Sequence, residues 1–312
     1  MVSSLLIGLV AVTVMGFANQ LGDTCTVSAI REIVQVRRFT RLFVLLEAAL
    51  WAGVSLVWLN AFDTLTTRPS NYAVGTLTIV GGILFGLGAL LNRACLFGTV
   101  SRLGNGEWAY IFTPAGIFAG SLAALKLPPP QPFTPNESLA LGSPPWLLAL
   151  TIGLILVRLY VHRLKAGQAK RSILKYLSSP SVATTVIGIS FVIAFAVEGS
   201  WGYAELLSDF ARGKAQAFPI KWVLFAALMM GSVGGAWVTK QFRSITPTIE
   251  NVVRCLIGGA LMGAGAALIP GGNISLVLIG IPLLQPYAWV AFASICITLY
   301  AAIRMTTRQD AP

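Results

Sequence analysis

The sequence predicts an all-α polytopic membrane protein of about nine transmembrane helices, built as two inverted-topology repeats with broken, re-entrant helices. Three observations carry that prediction. Apolar residues make up 56% of the 312 and charged residues 11%, with a mean hydropathy of +0.78, the composition of bilayer spans and not of a large soluble core. The apolar residues fall in runs of about 20, the length a helix needs to cross the hydrocarbon layer. One glycine-rich stretch occurs twice.

That stretch runs from Gly81 to Gly106, GGILFGLGALLNRACLFGTVSRLGNG. It opens as an apolar helix with Gly82, Gly86 and Gly88 on one face, stripped of side chains so that another backbone can come close. The apolar run stops at Asn92-Arg93, and Cys95 follows on a short segment ending in Leu103-Gly104-Asn105-Gly106. Adding 177 to each number carries Gly81, Gly82, Leu84, Gly86, Gly88 and Ala89 onto Gly258, Gly259, Leu261, Gly263, Gly265 and Ala266. The same shift takes Cys95 to Gly272, Gly22 to Gly199 and Cys25 to Gly202. One offset over two separate segments reads as an internal duplication.

In chain order the expected spans are 2–19, 41–60, 72–91, 108–126, 145–163, 181–198, 219–239, 252–270 and 285–303. The first lacks a basic n-region and an A-x-A-like cleavage site, so it reads as a retained helix. The loops are short except for the Pro-rich 127–145 and the mixed-charge 199–218. Arg158, Arg163, Lys165, Lys170, Arg171 and Lys175 cluster without an acid, Arg31, Arg37, Arg38 and Arg41 form a second group, and Lys240, Arg243, Arg304 and Arg308 mark further basic ends. One orientation places every basic loop inside: N-terminus periplasmic, C-terminus cytoplasmic. The span at 72–91 then runs inward and its copy at 252–270 outward, with 145–163 as the odd helix that inverts the second half. The chain divides into a first repeat (1–126), a linking part (127–180, a periplasmic Pro-rich loop, a helix and a basic cytoplasmic loop) and a second repeat (181–312). Inverted repeats with broken helices recur in transporters, with the substrate path at the repeat interface.

The net charge of +11 sits beside the apolar runs, where it sets topology, so no nucleic-acid partner is expected and the lipid bilayer is the surrounding partner. Four cysteines (25, 95, 255, 296) without CxxC spacing predict neither a disulfide framework nor a metal site. The sole histidine, His162, lies in the basic loop, and no Ser-His-Asp set, P-loop or dinucleotide fingerprint is present, so the chain reads as neither an enzyme nor a cofactor binder. Cys25 and Cys95 stand at symmetric breaks. Asp23 or Thr24 would cap a short helix at about 25–36, and the N-termini of the two short helices would face an anion, with Asn19, Gln20 and Asn92 as neutral donors. Cys255 and Cys296, inside plain spans, read as small buried hydrophobes. Arg93 is either an interfacial topology charge or an attractor of the anion and of the Cys95 thiolate. Glu198, at the second-half break, is either solvated or a proton-coupling group. Asn273 beside Gly272 reads as a backbone-satisfying or pathway amide, and Trp201 as an interface anchor or pathway residue.

These paired motifs, with ACLFGTVSRLGNG after the first and GALMGAGAALIPGGNIS in the second, resemble the YeeE/YedE family of sulfur-transport membrane proteins over nearly the whole chain. The resemblance implies an inner-membrane importer of thiosulfate or a related sulfur anion, with broken helices forming an hourglass and cysteines lining the path through S–H···S contacts. Cys95 matches the family's central cysteine and Cys25 the one toward the cytoplasm. The third family cysteine falls at Gly272, followed by Asn273, so the outer cysteine is missing. A small cytoplasmic sulfur carrier, rhodanese-like or TusA-like, is the implied partner. Transport of another sulfur or selenium compound, a membrane sulfurtransferase exchanging sulfur on Cys95, and a non-transporting scaffold are the competing readings.

Overall fold

The computed structural model describes residues 2–22, 24–65, 69–133, 145–168, 180–199, 201–213 and 218–309. The helices are α1 (Val2–Gly22), α2 (Thr26–Val36), α3 (Thr40–Ala61), α4 (Thr76–Asn92), α5 (Leu96–Gly104), α6 (Phe112–Ala123), α7 (Pro145–Gln168), α8 (Pro180–Glu198), α9 (Tyr203–Ala211), α10 (Phe218–Val238), α11 (Ile249–Leu268), α12 (Gly272–Ser275) and α13 (Pro286–Gln309). A π turn, Leu276–Gly280, prolongs α12. The protein is an all-α, multi-pass membrane protein. Among the described residues, eight segments are long and apolar enough to cross a membrane. The ninth expected span, 145–163, is the 24-residue α7, whose apolar part is only Leu148–Val161 and carries Arg158. Of the basic linker, Lys170, Arg171 and Lys175 lie outside the described residues, as do much of the Pro-rich loop and Asp23.

Four long helices stop and a short one restarts: α1/α2, α4/α5, α8/α9 and α11/α12. The stops have local causes. α4 closes on Arg93, held left-handed at φ 59°, and α11 ends at Ile269, just before Pro270, with Gly271 and Gly272 at φ 81° and 59°. Gly271 and Gly272 enter the left-handed region without the Cβ clash that Arg93 bears.

Helices pack in matched pairs. α1 crosses α8 and α4 crosses α11; α1 also packs on α10 as α8 does on α3, and α6 on α11 as α13 does on α4. The glycines make these crossings possible, and on two faces, not the single face expected. A Cβ on Gly82 would stand 2.6 Å from Ser294 Cβ and one on Gly86 3.0 Å from Thr298 Cβ, both on α13. Gly259 and Gly263 turn the equivalent face to the Thr113 and Ile117 carbonyls at α6. Gly88 and Gly265 face elsewhere, at the α4–α11 crossing: a Cβ on Gly88 would lie 2.6 Å from the Gly258 carbonyl, and one on Gly265 2.6 Å from that of Gly81. Each such contact is van der Waals packing that a larger side chain would abolish.

α7 is held to α3 by Trp58 Nε1–H donating to Thr151 Oγ1 at 3.1 Å and by an ion pair between Arg158 and Glu47. Advancing along α7 retreats along α3, so the two are antiparallel. Arg158 therefore neutralises an intramembrane acid as well as adding to the basic end of α7. The outer surface carries Leu6, Val10, Val157, Met230 and Ile297, each more than half exposed, an apolar coat that water would not tolerate and lipid would.

Candidate functional site

The two cysteines singled out by the sequence meet at the centre of the bundle. Cys25 is the N-cap of α2 and Cys95 the N-cap of α5, and they are 4% and 0% exposed. The Thr26 N–H donates to Cys95 Sγ at 3.3 Å. Cys25 Sγ fills the space beside Gly98, where a Cβ would lie 2.6 Å from the sulfur. Neither cysteine side chain bonds the N–H groups of its own helix, so the positive ends of an 11-residue and a 9-residue helix converge on two soft, weakly donating thiols. Thr24 does not cap α2: its hydroxyl donates to Asn19 Oδ1.

The expected amide donors are engaged with the protein itself. Asn92 Nδ2 donates to the Ala94 carbonyl (2.9 Å) and Thr99 Oγ1 (3.0 Å), and its Oδ1 accepts from Thr113 (2.9 Å). Asn19 Nδ2 donates to the Phe97 carbonyl at 3.0 Å. Gln20 Nε2 donates to Asn105 Oδ1 at 2.6 Å, and its Oε1 accepts from Ser101 and Ser232 at 3.0 and 2.9 Å. A break in a helix strands backbone groups away from water; Asn92 and Asn19 each bond a carbonyl there, and Gln20 ties α1 to side chains around α5 and α10. Their work is to fix the breaks that present the thiols.

Below Cys25 opens a cavity of ≈730 Å³ lined by Gln20, Ser28, Arg31, Glu32, Arg38, Arg41, Arg93, Ser101, Arg102, Asn105 and Gln241 among others. Arg93 is exposed there, beside Cys25. Glu32 accepts from the Arg41 backbone N–H at 2.9 Å, and Glu107 pairs with Arg102 at 2.9 Å. Five arginines against a single lining acid make an anion-attracting funnel. The charges that the sequence reading assigned to topology thus also line this cavity.

A second cavity, ≈100 Å³, lies at the breaks of the other half, lined by Pro69, Ser70, Tyr72, Phe195, Glu205, Pro270, Gly271, Ser275, Ile279 and Tyr287. α4 begins beside it, after Tyr72, and ends at Arg93 in the large cavity; α11 starts past Gln241 and ends at Pro270 in the small one. Between the cavities the halves interlock. Asn273 Nδ2 donates to Thr26 Oγ1 at 3.2 Å, and the Tyr203 hydroxyl donates to the Leu96 carbonyl at 2.9 Å. Gly272 sits in this seam, where a Cβ would lie 2.9 Å from Leu96 Cδ1 on a backbone at φ 59°. A cysteine there would be both strained and crowded.

The sequence model for "Sulphur transport" matches residues 21–301. The chain belongs to the sulphur transport (YeeE/YedE) family. It is 24% identical to the thiosulfate transporter TsuA of Escherichia coli (strain K12), over 97% of this chain and 94% of that protein. It is 26% identical to the thiosulfate transporter TsuA of Spirochaeta thermophila, over 91% of this chain and 93% of that protein.

Some residues of this member's site escaped the sequence reading. Glu198 lies beside Gly8 of α1 and lines neither cavity, whereas Glu205, seven residues on, lines the small one. Gly98, Thr113, Tyr203 and Ser232 hold the breaks through contacts 21 or more residues apart in sequence, and Thr99 through its bond to Asn92. Trp201 is 4% exposed and stacks on Phe191 at 6.5 Å, buried and not at an interface. Cys255 is buried with Ala94, Ala109 and Tyr110, and Cys296 is half-buried in α13; neither lines the large or the small cavity.

Proposed function

We propose that the protein imports thiosulfate or a closely related sulfur anion across the bacterial inner membrane, along an hourglass path whose neck is the Cys25–Cys95 pair. The observation that carries this reading is the pairing of two buried thiols at converging helix N-termini, directly above the arginine-lined cavity. Thiosulfate is a dianion with hard oxygens and one soft, poorly hydrated sulfur. Helix ends and arginines answer the charge, and thiols donate weakly to the sulfur without trapping it. The relatives named thiosulfate transporters support the same substrate.

The path lies between two inverted repeats, residues 1–126 and 181–312, joined through the linking part 127–180. The matched helix crossings and the opposite directions of α4 and α11 between the cavities support that division. The large cavity is cytoplasmic, since the basic loops surround it, which leaves the N-terminus periplasmic and the C-terminus cytoplasmic. Bringing two negative charges into an inside-negative cell costs about 4.6 kcal/mol per 100 mV. Import therefore needs a co-transported cation or proton, or removal of the sulfur inside by a small rhodanese-like or TusA-like carrier.

A sulfurtransferase reading draws on the closeness of the two thiols. There a Cys95 thiolate would attack the outer sulfur, form the Cys95 persulfide and release sulfite. Mass spectrometry of Cys95 after exposure to thiosulfate separates the two: conduction leaves the thiol unmodified. Uptake of sulfur-labelled thiosulfate by cells lacking their own importers tests the main reading. Cys95→Ala, inserted at parental levels, is expected to lower uptake at least tenfold; parental uptake by that variant would defeat the proposal.

A further inference from the structure

The two halves differ where their gates meet the path, and the difference is a swap. In the first half Cys25, Ala94 and Gly98 stand together: a Cβ on Gly98 would lie 2.6 Å from Cys25 Sγ and 3.2 Å from Ala94 Cβ. Adding 177 gives Gly202, Gly271 and Ser275. Gly202 has open space where its Cβ would be, and a Cβ on Gly271 would collide with Ser275. Volume has moved from Cys25 and Ala94 to the position opposite, where the first half has none. Ser275 is 7% exposed, lines the small cavity, and its Oγ has no hydrogen-bond partner among the described residues. A buried hydroxyl left unbonded is costly, and a site that binds something recovers that cost.

We propose that Ser275 is the ligand-binding residue of the outer gate, its hydroxyl donating to an oxygen of the sulfur oxyanion, as the Cys25 and Cys95 thiols meet the sulfur at the inner one. This rests on the thiosulfate reading. The outer gate then selects for oxygen and the inner gate for soft sulfur. An anion with only oxygens passes the first test and fails the second; a bare sulfide fails the first. Glu205 forms another wall of the same cavity, so a dianion there needs a cation or proton beside it, the same demand the membrane potential makes.

Thiosulfate uptake by the full-length protein in proteoliposomes, with Ser275→Ala and Ser275→Thr, tests this. One lost hydrogen bond to an anion predicts a KM about tenfold higher for the alanine variant, with maximal rate within about twofold. Threonine, which keeps the hydroxyl, should restore the parental KM. Parental KM in the alanine variant would overturn the serine assignment and leave the transport reading standing. No uptake by the parental protein would overturn both. Should the alanine variant fail to insert, Ser275→Cys supplies a second readout: an impermeant thiol reagent added outside should label it, and thiosulfate should slow that labelling. Labelling indifferent to thiosulfate, in a variant that still transports, would equally overturn the assignment.

Discussion

Asn92, which reads in sequence as a ligand donor, is engaged with the protein itself. Its carboxamide has both ends occupied, by Ala94, Thr99 and Thr113, with no exposure at all. Asn92→Ala would strand a buried hydroxyl and a carbonyl, a loss of about 3 kcal/mol, and should lower the melting temperature of the detergent-solubilised protein by several degrees. An unchanged melting temperature would return Asn92 to the list of substrate donors. Arg93 stands one residue on and points the other way, into the large cavity. Arg93→Gln should weaken binding of the anion, raising KM at low salt, and matter less as salt screens the remaining arginines, measured as uptake at two ionic strengths.

At the scale of elements, the glycine stripes decide which helices can cross. A Cβ added to Gly88 faces the Gly258 carbonyl and the Met262 N–H, each 2.6 Å away and both backbone, so neither can swing aside. Gly153 on α7 has nothing within 4 Å. Gly88→Ala should therefore reduce the yield of monodisperse protein on size-exclusion chromatography, whereas Gly153→Ala should leave it unchanged or improve it through better helix propensity. The stripe itself was readable from the spacing of Gly82, Gly86 and Gly88, because close helix contact in a membrane needs small residues. That the stripe serves two partners was not, since a period shows which positions are bare but not which helix lies opposite. The breaks were likewise visible at Asn92-Arg93-Ala94-Cys95 and at Gly271-Gly272. Ser275 was hidden, because its counterpart Gly98 gives no sign in sequence that a neighbour's thiol fills its place.

Across the whole molecule, the arginines near Cys25 line the large cavity. On the proposed reading they are at once the charges that set topology and the charges that draw in the anion. Composition and periodicity reveal such charges but cannot tell whether they face lipid headgroups or a cavity; only the packing of α2 against the start of α3 places Arg31, Arg38 and Arg41 there. The orientation can be read directly. Phe133→Cys, exposed beside the small cavity's Asn71–Tyr72 segment, should react with an impermeant reagent added outside intact cells, and Thr307→Cys, exposed at the end of α13, only after lysis. The reverse pattern would invert the assignment of inner and outer gates.

The most direct measurement is uptake of doubly labelled thiosulfate, its two sulfurs carrying different isotopes, by proteoliposomes holding the purified protein and no other. Conduction past Cys25 and Cys95 predicts that both labels accumulate inside at the external ratio, and that Cys95→Ala abolishes both together. A single label inside, with labelled sulfite left outside, would contradict it and assign the cysteines to sulfur transfer.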